Sequence, residues 1–544
     1  MIWKKIFNNS TESVTGAALI LGATTLVSRL LGFVRDRVLA HYFGAGDVID
    51  VYYAAFKIPD LAYNLIILGA FSAGFIPVFT KLFNTKALWQ DKKNEAWQLV
   101  NNAVNTLGAF LILLTIVLIA LAPFLVPFIA PGFSGEKLDL TVKMTRIMLL
   151  SPLLLGLSTV VGAVLQSLKN FFIYSLSPVM YNIGIIIGAV FFVPLWGNTG
   201  LAWGVILGAL LHLLIQLPSL ISAGYSYTWL FNFKDKNLLT VIKLIIPRTL
   251  GLAAGQFNAI IMTVFASTLA VGSVAVYNYA FNLQSLPLGL IGISFAVAAF
   301  PTLSELAVKN DHEKIISTFS ATVRQILFFT VPMMVVFLML RAQIVRVVLG
   351  TGAFDWSATI RTSDTLAFFT LSLFAQSLIP LLARCFYALE DTVTPFISGL
   401  ASVGLNIIIA WQFTKGSFGV EGLALAFSLG SLLNFILLWV LLRIRLKNLD
   451  ETNILPSVYK MSIAAIFMGL TIQGLKQISI LFLDTHTFLG IFCQGLLAGT
   501  GGLVIYILSS LLLKNKEMET FINVIKKKLL KTPDLPLDVS EINK

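Results

Sequence analysis

Charge is what this sequence has little of. Of its 544 residues only 12% are Asp, Glu, Lys or Arg, while 57% are hydrophobic and the mean hydropathy is +0.88. A soluble chain of this length needs far more charge to cover its surface, so a soluble globular protein is excluded. Cysteine is nearly absent as well. Cys385 and Cys493 stand in apolar surroundings, which points to neither a disulfide framework nor a metal site. His41, His212, His312 and His486 lack ligand spacing, and no metal is expected. No GxxxxGK[ST], HExxH or GxSxG motif occurs, so the chain reads as a non-enzyme without a cofactor, driven by an ion gradient, a membrane potential or a substrate gradient.

What is present is a series of long apolar blocks joined by short polar connections. That is the pattern of an all-α polytopic membrane protein, and the period-two alternation of a β-barrel is missing. The opening "MIWKKIFNNSTESV" is short, polar and basic, with no small-residue cleavage site after the first apolar run, so insertion as an uncleaved multispan chain is expected. Apolar runs of about 20 residues give about fourteen spans. Their centres fall near residues 24, 68, 112, 154, 184, 210, 256, 288, 332, 374, 402, 430, 466 and 500. Pro59 and Pro287 should kink the second and eighth.

Placing the connections alternately on two sides gathers most of the Lys and Arg on one of them. That side takes Lys4 and Lys5, "KALWQDKK", Lys169, "KDK" at 234–236, Lys309, Lys314, Arg384, "RIRLK" at 443–447 and the lysine-rich tail. The positive-inside rule makes it cytoplasmic, with both termini inside and an even span count. The net charge of +12 is therefore read as topology and attraction to anionic lipid, and no nucleic-acid partner is expected. In the tail, "KNKEMETFINVIKKKLLK" brings Phe521, Val524, Ile525 and Leu529 near one face beside the lysines at 526–528. It reads as an interfacial helix or as a solvated basic end. The final "TPDLPLDVSEINK" has a disordered composition.

The chain also repeats itself. "TGLAWGVILGALLHLLIQL" (199–217) aligns without gaps on "EGLALAFSLGSLLNFILLW" (421–439), matching Gly200 with Gly422, Ala202 with Ala424 and Gly208 with Gly430. "LQSLKNFFIYSLSP" resembles "FYALEDTVTP", and "GDVIDVYYA" (46–54) resembles "GSVAVYNYA" (272–280). The last pair is followed by "FIPVFTKL" and "AFPTLSEL", each a helix carrying a proline. An offset of six spans gives two repeats of the same orientation. The expected organisation is a six-helix lobe at 1–232, a second at 233–450, two further spans at 451–513 and a basic tail at 514–544. Two such lobes facing a cavity form an alternating-access transporter.

Several charges fall inside these spans. Arg29 and Arg35 lie about 120° apart on an ideal helix, with Gly32 between them. Ser28 and Arg35 are nearly eclipsed, as are Arg29 and Asp36. Asp50, Lys57 and Asn64 share a face of the second span, with Asp60 close to it; Lys57 and Asp60 either form an internal ion pair or serve a cavity. The eighth span adds Asn278, Asn282 and Gln284, and the seventh Arg248, Gln256 and Asn258. Polar residues on one face of an apolar helix turn toward a cavity or a partner helix. Arg35, Asp36 and Arg37, near the end of the first span, either do this or reach for headgroups. Arginine in a cavity suits a phosphate or diphosphate, because its planar fork donates two hydrogen bonds to one group. Asp36, Asp50 and Asp60 are the candidate ion or proton sites.

The phrases "SRLLGFVRDRVLAHYFGAGDVIDVYYAAFKIPDL", "GAFSAGFIPVFTK", "NYAFNLQSLPLGLIGISFAVAAFPTLSEL", "GTGAFD" and "RCFYALEDTVTP" resemble the lipid II flippase (MurJ, or MviN) family along nearly the whole chain. The resemblance implies the multidrug/oligosaccharidyl-lipid/polysaccharide exporter fold, with two extra helices forming a lipid-tail groove. It also implies transfer of the undecaprenyl-diphosphate-linked peptidoglycan precursor across the bacterial cytoplasmic membrane. Membrane lipids and the peptidoglycan synthesis machinery are the implied partners, and a monomer is expected. Ser28, Arg29, Arg35, Asp36, Asp50 and Lys57 match polar positions of the family, the arginines as diphosphate contacts. With Asn64 and Asn282, Ser28, Arg29, Arg35, Asp36 and Lys57 make up the expected substrate-binding set. Tyr63, Asn64 and Asn282 stand where the family commonly has arginine, and Leu68 where it has an acidic residue, so the chain reads as a divergent member. The alternatives are an exporter of another lipid-linked oligosaccharide or drug, and a non-transporting envelope scaffold.

Overall fold

The computed structural model describes residues 14–66, 70–84, 89–416, 418–485 and 487–529. Helices α1 (Val14–Phe43), α2 (Asp47–Ala55), α3 (Lys57–Ile66) and α4 (Ala70–Asn84) come first. They are followed by α5 (Trp89–Ile129), α6 (Gly135–Met148), α7 (Ser151–Ser167), α8 (Phe171–Ile187) and α9 (Gly200–Leu214). An extended connection leads to α10 (Lys236–Ser267), α11 (Ser273–Pro287), α12 (Ser294–Val308) and α13 (His312–Met339). Then come α14 (Trp356–Thr370), α15 (Leu373–Ala388), α16 (Val393–Thr414) and α17 (Gly419–Leu446). The chain closes with α18 (Glu451–Ser479), α19 (Phe488–Leu512) and α20 (Lys516–Leu529). The described residues are predominantly helical, with no strand among them.

Among these residues nine helical segments are long and apolar enough to cross a membrane, or ten if α14 and α15, bent by 45°, form one span. One of the nine, Phe171–Ser222, holds two of the expected centres. The fourteen expected spans are not reached by this measure. Those expected near residues 24, 68 and 256 are not among them: the side chains of 14–19, which begin α1, lie outside the described set, and the second is split into short helices. In the third, side chains between 246 and 254 lie outside the described set, Arg248 among them.

The regular α-helix is interrupted at both prolines. Pro59 has no N–H to give to the carbonyl of Ala55, and the helix breaks at Phe56 between α2 and α3. Pro287 ends α11, and a wider π turn, Leu288–Ile293, carries the chain into α12.

Packing divides the chain into two units. The first holds the described residues up to Leu286 together with Val345–Phe369 and Phe396–Leu433. In it, Phe71, Phe75, Phe79 and Phe83 recur every fourth residue along α4 and stack at 5.2, 5.7 and 5.4 Å between ring centres. They pack with Trp97 of α5 and Val160 and Val164 of α7. Helices α8 and α9 run antiparallel in close contact, with Gly184 against Gly208 and Gly188 against Gly204, where a methyl group would strike backbone. Helix α1 is inside out by soluble standards: Val27 is 52% exposed while Asp36 is 2% exposed.

The second unit holds Pro287–Ile344, Thr370–Pro395 and the described residues from Asn434 onward. Its core joins α12, α13, α15, α18 and α19. Helices α18 and α19 form a hairpin, with Gly501 and Gly502 admitting Leu475 and Ile472. Cys385 is buried and Cys493 partly so, and both are free thiols. The expectation for the tail changes here. Helix α20 forms, but its first turn is built into the protein: Glu517 pairs with Arg324 at 3.4 Å, Met518 is buried, and Phe521 packs on Phe328 and Phe329. The side chains of Val524, Ile525 and Leu529, and residues 532–544, lie outside the described residues.

Candidate functional site

The charged residues of α1 do not reach outward. Arg35 donates from Nε (3.0 Å) and Nη2 (2.7 Å) to Oδ1 of its neighbour Asp36, and from Nη1 to Oδ1 of Asn182 on α8 at 3.2 Å. Asn182 in turn donates to the carbonyls of Pro178 (3.0 Å) and Ser28 (3.5 Å). The second oxygen of Asp36 accepts from Asn282 of α11 at 3.0 Å. Both oxygens of Asp36 and all three nitrogens of Arg35 have partners, which is what allows a carboxylate to stay buried. Arg29 lies toward the other end of the same contact, its Nη1 donating to the carbonyl of Ser285 at 3.2 Å.

Arg29 borders two cavities. The smaller, about 130 Å3, is polar and lies among Arg29, Arg35, Asp36, Asn282 and Ser285. The larger, about 650 Å3, runs into the helices of the first repeat and is rich in hydroxyls from Thr25, Ser28, Tyr63, Ser158, Thr159, Tyr174 and Ser175. Its far wall holds Ser158 between His212 Nδ1 (2.7 Å) and Gln216 Nε2 (2.6 Å). One cationic group thus serves both spaces, with hydroxyls on one side and a fully bonded Arg–Asp pair on the other. Such an arrangement can hold an anionic group joined to a polar, hydroxylated one.

Helix α11 receives the first repeat along a single polar stripe. Ala275, Asn278, Asn282 and Ser285 recur at three- and four-residue intervals and so share a face. Asp36 and Arg29 meet the last two. Lys57 Nζ donates to Asn278 Oδ1 at 3.4 Å. Asp50 meets the helix end, accepting from the backbone N–H groups of Gly272 (2.7 Å) and Ala275 (2.9 Å). A carboxylate there satisfies free N–H groups and opposes the positive end of the helix dipole. Lys137, from the start of α6, bridges Asp50 (3.0 Å) and Asp47 (2.6 Å).

Three turns beside this helix end rely on glycine. Gly44, Gly272 and Gly352 all have positive φ, and a Cβ at Gly272 would strike the carbonyl of Ala45. The backbone of Ala353, in the "GTGAFD" phrase, donates to His41 O at 2.9 Å, and Arg37 donates to the carbonyls of Val347 and Val348.

The expected substrate residues therefore separate into two groups. Ser28, Arg29, Arg35, Asp36 and Asn282 border the two cavities. Lys57 is spent on Asn278, and Asn64 donates to Gln256 Oε1 at 3.4 Å; neither borders these cavities. Lys57 and Asp60 form no direct bridge, although Asp60 sits in the field of Lys57 and Arg35. Asn258 pairs with Asn406 at 2.8 Å. Leu68 lies outside the described residues.

Sequence reasoning missed Asn182, Lys137 and the carbonyl of Ser285. Asn182 carried a signal, as a lone amide in the apolar run "SPVMYNIGIIIG". The other two did not, since Lys137 sits in an ordinary polar connection and a carbonyl has no letter. No His, Cys, Asp or Glu cluster suited to a metal occurs among the described residues.

The family model for "Lipid II flippase MurJ" matches residues 39–492. The chain is 32% identical over 421 residues to a probable lipid II flippase MurJ of Buchnera aphidicola subsp. Acyrthosiphon pisum, covering 76% of this chain and 81% of the relative. It is 31% identical over 438 residues to that of Vibrio cholerae, covering 78% and 82%. Among solved structures, a lipid II flippase MurJ in an inward closed conformation superposes with a TM-score of 0.74 at 24% identity, over 94% of this chain and all of that one. An inward-facing multidrug transporter of the MATE family, in the MOP superfamily, gives 0.66 at 16% identity, over 80% of this chain and 99% of that one. At those identities the two structures show the fold.

Proposed function

The chain belongs to the lipid II flippase MurJ family, and from that membership we propose that it carries lipid II across the bacterial cytoplasmic membrane by alternating access. The observation that carries the reading is Arg29, which stands between a polar cavity holding Arg35 and a larger hydroxyl-lined one. A diphosphate joins a lipid chain to a sugar, and it needs cationic forks at the junction. Arg29 and Arg35 supply them. Arg35 is already engaged by Asp36, so an arriving phosphate competes with that carboxylate for the guanidinium. Loosening the pair frees Asp36 from one of its partners and changes its hold on Asn282. Substrate binding is thereby coupled to the contact between α1 and α11, which has to open and close for alternating access.

The same reading makes both termini cytoplasmic and puts the Asp50 contact with α11 at the outer face. It divides the chain into repeat lobes at 1–232 and 233–450, with α18 and α19 as an accessory pair, and has the chain act as a monomer beside the peptidoglycan synthesis machinery. Energy comes from a membrane potential or a monovalent ion, with no bound cofactor, and Asp36 and Asp60 are the carboxylates best placed to sense it.

The test is complementation of a flippase-depleted bacterium, with leaflet accessibility of labelled precursor as the readout. Arg29→Ala and Arg35→Ala should fail at normal membrane abundance, with precursor held in the inner leaflet. Full rescue by both variants would overturn the assignment of the diphosphate to these arginines.

A further inference from the structure

We propose that the first unit holds a binding site for an anionic membrane phospholipid, with one acyl chain seated in a lateral cavity between α4, α5 and α10. This proposal is independent of the flippase reading. The cavity measures about 500 Å3 and is lined by side chains such as Phe71, Leu107, Leu113, Phe233, Val241 and Ile245. Thr106 is the one lining residue with a polar side chain, and its hydroxyl is already given to Asn102. Water needs polar partners to occupy a cavity, and this one offers none free. Its occupant is hydrocarbon.

The cavity opens toward the bilayer. Phe110 and Leu113 (62% exposed) lie at its edge on α5, a helix apolar enough to span a membrane, and the exposed apolar face continues through Ile116 and Val117.

The mouth is built differently from the interior. Residues 225–233 run "YSYTWLFNF", with an aromatic ring at every second position, in an extended segment. Three asparagines of α5 hold it there. Asn101 bonds the backbone of Ser226 and Thr228, Asn105 the carbonyls of Thr228 and Leu230, and Asn102 both the N–H (2.9 Å) and the carbonyl (2.8 Å) of Asn232. The segment is therefore held in place: Phe233 lines the cavity, Tyr225 packs on Trp97, and Trp229 is 78% exposed. Exposed aromatic rings of this kind belong at the headgroup level of a bilayer.

Beside them Lys234, Lys236 and Lys243 are exposed, with no ion pair among the described residues. Lys234 follows a cavity-lining ring, and Lys236 and Lys243 lie on the helix whose Leu238, Val241 and Ile242 line the wall. Three unpaired cations at the rim of a hydrocarbon slot select a lipid whose headgroup is negative.

The experiment uses the full chain in detergent micelles with a phosphatidylglycerol probe bearing a diazirine near the end of one acyl chain. Photolabelled peptides are located by mass spectrometry. Labelling should concentrate at 103–113 and 238–245, disappear in Ala109→Trp, which fills the mouth, and require about tenfold or more probe in the triple variant Lys234→Gln, Lys236→Gln, Lys243→Gln. Thermal unfolding of each variant checks its fold, and if one fails, the labelled positions in the unsubstituted chain decide. The proposal is overturned if those segments stay unlabelled, or if a phosphatidylcholine probe labels them equally. Displacement by a prenyl diphosphate more readily than by phosphatidylglycerol also overturns it, and assigns the cavity to the transported chain.

Discussion

Asp36 Oδ2 and Asn282 Nδ2 meet at 3.0 Å, joining α1 to α11 through a carboxylate that is almost fully buried. Removing the donor leaves that oxygen without a partner, a loss of about 1–3 kcal/mol. Asn282→Leu should therefore lower precursor transport by about tenfold or more while membrane abundance holds. Asn282→Arg, which supplies a charged donor in place of the amide, should keep the contact as an ion pair and retain transport. If the leucine variant transports normally, the contact is incidental.

Asp50 is held by two backbone N–H groups and Lys137. Asp50→Ala removes all three bonds, and Asp50→Asn keeps one acceptor without the charge. The loss of a cap alone amounts to about 0.5–2 kcal/mol. Thermal unfolding of the purified protein should rank the unsubstituted chain above Asn, and Asn above Ala. An unchanged midpoint in Asp50→Ala would show that the helix end is held by other contacts.

Asn102 gives two backbone bonds to a single residue, Asn232. Asn102→Leu is close in size but makes neither, and should release the 226–233 segment locally. Hydrogen exchange of those amides should rise by about tenfold or more, while exchange in α13 stays as it was.

Acid should weaken the second unit at the start of α16. The backbone N–H of Thr394 is the chief donor to Asp391, with the Thr394 hydroxyl, Arg445 and Val393 N–H adding to it, and together they hold its carboxyl below the usual carboxylate range. A lowered folded value means that this stabilisation is present above the unfolded value of about 4 and is lost as pH falls through the folded one. Unfolding temperature followed from pH 6 downward should drop more steeply in the unsubstituted chain than in Asp391→Ala, which has already lost the contribution. Parallel curves would remove Asp391 from the acid response.

The legible parts of this molecule were those written in side chains. The charges of α1 marked it as a helix with a polar inner face, and the repeated "GDVIDVYYA" and "GSVAVYNYA" marked a duplication but not their contact: Asp50 in the first bonds Gly272 and Ala275 in the second. Pro59 and Pro287 marked both breaks. Asp50 was expected to face a cavity or a partner helix, and its partners on α11 are backbone N–H groups 222 and 225 residues away, which carry no letter of their own. Glu517 was read as part of a basic surface helix, and only the packing of α13 reveals Arg324 as its partner. Charge patterns say that a group needs a partner. They do not say which one when the partner is a carbonyl, an amide, or a residue on a distant helix.

The stripe on α11 has a mechanical consequence. Its asparagines at 278 and 282 are one helical turn apart, about 6 Å along the axis, and chemically identical. A lone ion pair fixes a single register, because sliding strands both charges. A column of equivalent amide rungs does not. If α1 and α11 shift by one turn, Asn278 arrives where Asn282 stood, and the carboxylate of Asp36 passes from one donor to the next. The contact is built like a rack: it resists parting, yet it permits travel in steps.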